Sequence, residues 1–382
     1  MTDWPIYLDH NATTPVLPEV VDAMLPFLRE HFGNPSSAHS YGRIARAAVA
    51  HARSEVASLL SCDADEIVFT SGGTEASNLA IRGTRNGDRR RIVTSVIEHP
   101  ATTEPVAWLE RQGCQVVRLG VDANGQVAAG ELAAAMDEST ALVTLMHSNN
   151  ETGVLQPVHE AAVAAQRVSA LMHTDAAQSV GKIPVDVRAL RVDLLSLVGH
   201  KLYAPKGIGA LYVRRGVQID PLTLGGAHER GIRPGTENVA SIVGLGAACA
   251  IARRDLGHEG ARVRALRDRF WTLLSAAIPK LALNGHSTER LPNTLNVRFP
   301  GVSATALLSR ATGIAASTGA ACHEGNENPS VTLLAMGIGN SEALGSVRLS
   351  VGRATSLEDI ERAASELESC WRRLVESTVR RG

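Results

Sequence analysis

From residue 64 onward, short apolar segments rich in β-branched residues alternate with Ala-rich segments whose apolar positions recur every three or four residues. The apolar segments predict strands at 67–70, 91–96, 114–119, 142–146, 172–175 and 194–198. The Ala-rich segments predict helices at 74–82, 130–136 and 158–170. This alternation is typical of βαβ units, which build a mostly parallel sheet covered by helices. We therefore expect an α/β fold that binds its ligands where loops leave the carboxyl ends of the strands.

The pattern changes in the second half of the chain. The strands at 194–198 and 209–213 flank a short segment and predict a hairpin, and an apolar helix follows at 239–252. The polar stretch at 253–260 then interrupts the pattern and is interpreted as a domain boundary. We predict a large domain over 15–256 and a small C-terminal α/β domain over 257–382, with segment 1–14 packing on the small domain. The small domain is predicted to contain a helix to about 278, a strand at 294–299, a helix at 304–311, a strand at 347–351, and a last helix that begins with a capping box at Ser356 and Asp359.

Composition and charge exclude several classes of protein. The 382 residues include 38 Lys and Arg against 39 Asp and Glu, for a net charge of -1, so we expect neither a nucleic-acid partner nor attraction to an anionic membrane. The 44% hydrophobic and 20% charged content is typical of a globular protein and excludes intrinsic disorder. The longest apolar stretch, at 239–252, is shorter than the roughly 20 residues that a membrane span needs. The N-terminus resembles no secretory signal, so we predict a cytoplasmic protein.

The cysteines are five in number and form no CxxC pair: Cys62, Cys114, Cys249, Cys322 and Cys370. An odd number without that spacing argues against a disulfide framework and against a structural metal site. Any functional cysteine is therefore expected to be a free thiol.

Three segments at predicted strand ends carry candidate chemistry. Ser71-Gly72-Gly73-Thr74-Glu75 joins a strand to a helix, where backbone N–H groups can hold a phosphate, although such a Gly-Gly helix entry is as often only structural. Asp175 ends a strand and could pair with a buried cationic ring nitrogen, or could simply cap a helix. Lys201 follows another strand and could form a Schiff base, although most lysines are solvated surface groups.

Together, a phosphate cradle, a ring-pairing carboxylate and a Schiff-base lysine are what pyridoxal 5'-phosphate requires. The sequence motifs that surround them point to a known family: YLDHNATT, FTSGGTEASNLAI, SVIEHPA, MHSNNETGV, HTDAAQSVGKIPVD, GHKLYAPKGIGALYVRR, GGAHERGIRPGT, STGAAC and SVRLSVGR. Over nearly its whole length the chain resembles the NifS- and IscS-like cysteine desulfurases of the class V aminotransferase superfamily. The resemblance implies the pyridoxal-phosphate-dependent transferase fold of type I.

The resemblance also implies roles for residues around the cofactor ring. Lys201 would carry the cofactor and shuttle the proton at the substrate Cα. Asp175 would pair with the pyridine nitrogen, and Gln178 would hydrogen-bond the phenolic oxygen. His99 would stack on the ring and assist proton transfer.

Further implied roles concern the phosphate and the substrate. Gly73, Thr74 and His200 would hold the phosphate. Thr236 would reach the phosphate of the neighbouring subunit, which implies a homodimer with shared active sites. Asn150 and Arg348 would hold the substrate carboxylate, since the planar fork of arginine suits bidentate contact.

Cys322 decides the expected reaction. It enters a polar, Gly-containing segment at 322–329, on which a thiol could reach the cofactor and then carry sulfur away. The attacking species must be a thiolate, and His323 could serve as its base or be a solvated loop histidine. The sequence departs from the family at Val198, where a phosphate-binding serine is usual, and at His323-Glu324, where small hydroxyl residues are common.

The sequence therefore predicts an enzyme that converts L-cysteine to L-alanine, leaves a persulfide on Cys322 and passes the sulfur to an acceptor protein. Selenocysteine lyase is the nearest alternative, and a class V aminotransferase or simple C–S lyase is a more distant one. A cofactor-holding scaffold without activity is the non-enzymatic alternative. The pattern of residues does not identify the acceptor.

Overall fold

The computed structural model describes residues 4–84, 87–318 and 328–379. The strands are β1 (Ile6–Tyr7), β2 (Ile67–Thr70), β3 (Arg91–Ser95), β4 (Gln115–Leu119), β5 (Thr140–Thr144), β6 (Leu171–Asp175), β7 (Leu194–Val198), β8 (Gly209–Val213), β9 (Ala282–Leu283), β10 (Thr294–Arg298), β11 (Ile314–Ala315) and β12 (Ser346–Ser350). The α-helices are α1 (Pro18–Arg29), α2 (Ser40–Leu60), α3 (Gly73–Gly83), α4 (Pro100–Arg111), α5 (Ala129–Ala134), α6 (Val158–Arg167), α7 (Val187–Leu190), α8 (Val239–Ala277), α9 (Ala304–Arg310), α10 (Val331–Ala335), α11 (Asn340–Ala343) and α12 (Leu357–Val379). The α/β class predicted from the sequence is confirmed.

A seven-stranded sheet in the order β2-β8-β7-β6-β5-β3-β4 forms the centre of the larger part of the molecule. All neighbouring pairs from β7 to β4 are parallel, whereas β8 is antiparallel to both β7 and β2. The predicted hairpin is therefore β7 and β8. Strands β2, β7 and β8 are buried at every position, because helices cover both faces of the sheet.

The two faces of the sheet contribute to different hydrophobic clusters. Leu194 of β7 packs with Leu79 of α3 on one face, whereas the next residue, Leu195, packs on the other face with residues of α2, α6 and α8. This alternation follows from the two-residue period of a strand. Strands β2, β5, β6 and β7 run in the same direction, so their carboxyl ends lie together at one end of the sheet.

Helix α8 shows that the polar stretch at 253–260 does not interrupt the helix. It continues over 39 residues through the predicted boundary. Its buried residues up to Ala252 belong to the core under the large sheet, and those from Val263 onward belong to a second core. Between them, Arg253 and Arg254 form ion pairs with Glu55 and Asp255 near the surface. One continuous helix therefore passes from the first core to the second at the polar stretch. The predicted domain boundary after residue 256 stays a prediction.

The second core is covered by a three-stranded antiparallel sheet in the order β12-β10-β9. Strand β1, near the N-terminus, pairs in parallel with β11, and Leu8 is buried among the residues of this core. The predicted capping box at the start of α12 is confirmed, because Ser356 and Asp359 exchange hydrogen bonds between side chain and backbone N–H. Residues 4–14 thus connect this smaller sheet to the large one, where the Thr14 N–H donates to the His200 carbonyl oxygen.

Within the described part of the chain, every helix is too short or too polar to cross a membrane.

Candidate active site

A cavity of about 680 Å³ lies at the carboxyl-end edge of the central sheet. Its lining includes most of the site residues predicted from the sequence, namely Gly73, Thr74, His99, Asn150, Asp175, Gln178, His200, Lys201 and Arg348. The strand ends explain the convergence, since Asp175 is the last residue of β6 and Lys201 ends a short 3-10 turn that follows β7. Arg348 reaches the same cavity from β12 of the smaller sheet.

The start of α3, which is the predicted phosphate cradle, is a helix N-terminus without a side-chain cap. Gly72 precedes the helix with a φ of 154° and no side chain caps the first N–H groups. A Cβ atom at Gly73 would lie 3.3 Å from the Cβ of Val198, and one at Gly209 would lie 2.8 Å from the backbone of Gly72. Because these segments approach so closely, glycine leaves the helix N-terminus open toward the cavity, where its dipole favours an anion.

An ion pair lies beside this cradle. Glu75, in the first turn of α3, accepts hydrogen bonds from the Ser71 N–H at 2.6 Å and from the Arg233 guanidinium at 2.9 Å. The pKa of Glu75 is lowered because these hydrogen bonds outweigh the effect of its burial. Arg233 thus offsets the negative charge of a carboxylate that would otherwise disfavour an anion in the cradle.

His200 contributes a neutral ring to the cavity. Burial lowers its pKa to about 4, with further contributions from Lys201 and Lys206. Its Nδ1 lies 3.2 Å from the Thr13 hydroxyl. At neutral pH His200 can therefore offer an anion a hydrogen bond, although it brings no positive charge.

Asp175 and His99 both line the cavity and interact electrostatically. Asp175 is 9% exposed, and burial raises its pKa against the opposing effects of the Ala177 N–H, His99 and Lys201. Burial by the surrounding protein lowers the pKa of His99, Asp175 opposes this shift and Lys201 adds to it. A buried carboxylate with a raised pKa is suited to accept a cationic partner, because ion pairing restores the charged form.

The segment that carries His99 is held by a buried carboxyl that sequence reasoning missed. Glu98 accepts hydrogen bonds from the Ser95 hydroxyl at 2.5 Å and from the Met146 N–H at 3.0 Å. Burial raises the pKa of Glu98 to about 8. The only signal in the sequence was its place inside the SVIEHPA motif.

The turn that carries Lys201 packs closely against Ile208 at Gly199. A Cβ atom at Gly199 would lie 2.8 Å from Cγ2 of Ile208, so this turn requires glycine. The Lys201 amine donates to the carbonyl oxygens of Asn11 and Ala12, the latter at 2.8 Å. Burial is the main cause that lowers its pKa to about 8; Arg348 lowers it further, against the opposing effects of Asp9 and Asp175.

Arg348 is a buried cation that lines the same cavity as Lys201. Its guanidinium pairs with Asp9 at 2.8 Å and donates to the Asn150 carbonyl oxygen at 3.1 Å. The side chain is 7% exposed, and among the described residues no partner accepts from its buried Nε. A guanidinium has five N–H groups, and the contacts with Asp9 and the Asn150 carbonyl use two of them, so the Nη atoms of Arg348 keep donors for a carboxylate oxygen from a ligand.

Of the predicted site residues that the structure describes, one does not line this cavity. Thr236 is exposed and is not among the residues that line it. Cys322 lies outside the described residues, as do His323 and Glu324.

The fold and the cavity agree with the comparisons to known proteins. A family model described as aminotransferase class-V matches residues 6–363. This chain belongs to the class-V aminotransferase family. The chain is 46% identical over 362 residues to the cysteine desulfurase IscS of Methanosarcina thermophila. The aligned region covers 94% of this chain and 89% of that protein.

Two solved structures are similar to this chain over most of its length. A structure described as a NifS-like protein has a TM-score of 0.89 at 35% identity, and the match covers 96% of this chain and 98% of that one. Another, described as SspA in complex with cysteine, has a TM-score of 0.81 at 35% identity over 90% of this chain and 98% of that one. The resemblance to NifS- and IscS-like proteins and the type I fold are confirmed.

Proposed function

We propose that this protein is a cysteine desulfurase that converts L-cysteine to L-alanine, takes up the sulfur on Cys322 as a persulfide and passes it to an acceptor protein. One observation carries the proposal: the side chains of Asp175, Lys201 and Arg348 line a single cavity, so a carboxyl group, an amine and a guanidinium are brought together there. The names of the relatives support the same reaction, since curated proteins 45–47% identical to this chain over most of its length are cysteine desulfurases.

The residues fit pyridoxal 5'-phosphate as the cofactor. The uncapped start of α3, with Gly73 and Thr74, suits its phosphate, and the buried carboxylate of Asp175 suits its ring nitrogen. Gln178 would hydrogen-bond its phenolic oxygen, His99 would cover its ring face, and His200 would donate to its phosphate. Val198 has no hydroxyl to donate to the phosphate, so the phosphate would be held by backbone N–H groups, Thr74 and His200. Bound there, the cofactor supplies an aldehyde for the substrate amine and an electron-withdrawing ring that acidifies the Cα proton.

Lys201 is positioned to hold and move that proton. A lysine whose pKa is lowered to about 8 is a better base near neutral pH than one with the ordinary value of 10.5. Its amine rests on the Asn11 and Ala12 carbonyl oxygens, which keep it at the edge of the cavity.

Arg348 would bind the substrate carboxylate together with Asn150. Asp9 holds one Nη group and the Asn150 carbonyl holds the other, so the orientation of the fork is set before a ligand arrives. Pre-organisation of this kind reduces the entropy cost of binding. We infer that the fork selects an α-amino acid over an amine without a carboxylate.

The proposal extends to a homodimer. Thr236 is exposed and lies outside the cavity of its own chain, which supports a role at the phosphate of a partner subunit. Cytoplasmic location and an acceptor protein for the sulfur belong to the same proposal.

The test is alanine formation by the cofactor-loaded protein. The wild-type chain should form L-alanine from L-cysteine, and Cys322→Ala should load the cofactor and bind cysteine without forming alanine. Cys62→Ala is the matched control, because burial raises the pKa of that thiol to about 12 and removes it from thiolate chemistry. Near-normal turnover by Cys322→Ala, or no alanine from the wild-type chain, would refute the proposal.

A further inference from the structure

Lys182 is a second lysine beside the cavity, and the proposed reaction does not use it. Its amine donates to the side-chain oxygen of Gln178 at 2.8 Å and to the side-chain oxygen of Asn11 at 3.3 Å. Lys182 and Lys201 also line a small cavity of about 40 Å³ on the far side of Lys201 from the main cavity. The titratable and charged groups that share this space are His10, Tyr203, Glu259 and Arg353.

The surroundings of Lys182 favour an uncharged amine. Burial lowers its pKa well below the ordinary value, and the positive charges of Lys201 and Arg348 lower it further. Among the described residues, both acceptors of the Lys182 amine are amide oxygens, and neither is a carboxylate that would favour the charged form.

The contact with Lys182 determines how the Gln178 amide is oriented. The Gln178 oxygen accepts from Lys182, and its Nε2 donates to the Asn11 carbonyl oxygen at 2.9 Å. If the amide were reversed, its NH₂ group would face the Lys182 amine and its oxygen would face the Asn11 oxygen. The contact with Asn11 would then lose its hydrogen bond, because two oxygens would face each other without a donor. Since Gln178 lines the main cavity, the present orientation leaves the second N–H of Nε2 as a donor for a ligand there.

Asn11 extends the same network to Lys201. Its backbone carbonyl accepts from both Lys201 and Gln178, and its side-chain oxygen accepts from Lys182 and from Asn293 at 3.1 Å. Asn11 is fully buried, so it cannot replace a lost partner with solvent. A change at Lys182 therefore reaches two residues that face the cofactor.

We propose that Lys182 is a positioning residue, whose amine fixes Gln178 with a donor N–H toward the cavity and anchors the Asn11 segment on which Lys201 rests. The inference rests on the proposed function, because the ligand that receives this N–H is the phenolic oxygen of pyridoxal phosphate. The hydrogen bond from Gln178 Nε2 to that oxygen would stabilise the form of the cofactor in which the oxygen is deprotonated.

The test is a pH titration of the visible absorption band of the cofactor-loaded protein. Lys182→Met keeps the apolar stem and removes the donor, and it should raise the apparent pKa of the band by about one unit, a tenfold change in proton affinity. Lys182→Gln keeps an N–H donor without an ionisable group and should stay within a few tenths of a unit of wild type. Lys280→Met is the matched control for loss of a lysine charge, since Lys280 is exposed and lies outside both cavities.

A double-mutant cycle tells positioning through Gln178 from a general structural effect. In a Gln178→Met background, Lys182→Met should cause no further shift of the band, because the residue through which it acts is gone. An equal shift in both backgrounds, a wild-type pKa in Lys182→Met, or a full shift in Lys182→Gln would each overturn the inference. If the wild-type protein takes up pyridoxal phosphate without any visible band, the proposed function itself fails, which is a different result.

Discussion

Arg348→Lys tests how the cavity recognises its substrate. Lysine keeps the positive charge and loses the planar fork, so it cannot hold Asp9 and the Asn150 carbonyl while also contacting a carboxylate. The wild-type side chain is 7% exposed, so the lost contacts are shielded from water. One hydrogen bond to a charged group contributes about 1.5–3 kcal/mol, and the expected fall in kcat/KM is therefore roughly 10- to 100-fold.

The assay compares two substrates. With L-cysteine, initial rates of alanine formation over a range of concentrations should show the loss of kcat/KM mainly as a raised KM, because the carboxylate contact is made in the ground state. With cysteamine, which lacks the carboxylate, the affinity followed by the change in cofactor absorption should be nearly the same for wild type and variant. Arg372→Lys, at an exposed ion pair on α12, is the matched control and should leave both measurements unchanged.

Equal losses on both ligands would show that Arg348 has only a general structural role. An unchanged kcat/KM for L-cysteine would show that the carboxylate binds elsewhere. Either result would refute the assignment of the Arg348 guanidinium to substrate recognition.

Three further predictions concern Lys201 and Asp175. Lys201→Ala should lower kcat for alanine formation by at least about 100-fold, the usual contribution of a positioned proton-transfer group, and unimpaired multiple turnover would contradict its role. In the cofactor-free protein, acylation of Lys201 followed by mass spectrometry should increase through a pH of about 8, and a midpoint at 10.5 would contradict the lowered pKa. Asp175→Asn should raise the Tm of the cofactor-free protein at neutral pH: the folded-state pKa of Asp175 is raised, so ionisation costs stability as pH increases above the unfolded value of about 4. An equal Tm by calorimetry for the two proteins at pH 7 would contradict this.

Continuous apolar segments made the central sheet predictable. The segment at 194–198 coincides with β7, and the segment at 91–96 exceeds β3 by one residue. A strand buried on both faces has an apolar residue at nearly every position, so its bounds are visible in the sequence. Helices α1 and α2 precede the alternation of strands and helices, and that pattern gives no information about them.

Helix α8 could not be delimited in the same way. Its residues 253–260 lie between two separate cores and none of them is buried, so the apolar periodicity disappears although the hydrogen-bonded helix continues. Polar residues indicate that a stretch is exposed, and they do not indicate that a helix ends. A long helix can bury different faces along its length and remain continuous.

Residues at strand ends were predictable as site residues, whereas their supporting partners were not. Asp175 and Lys201 follow apolar strands, and the residue type together with the position indicated their chemistry. Asp9 and Asn11 act through contacts with Arg348 and Lys201, which are distant in sequence. Such contacts depend on how the N-terminal segment crosses between the two sheets, which no local pattern encodes.

The most direct test of the account is the mass of the Cys322 peptide after the cofactor-loaded protein has reacted with L-cysteine in the absence of reductant. The account predicts one added sulfur atom on that peptide and one L-alanine released per persulfide formed. Alanine released while Cys322 stays an unmodified thiol, or sulfur found on another cysteine, would contradict it.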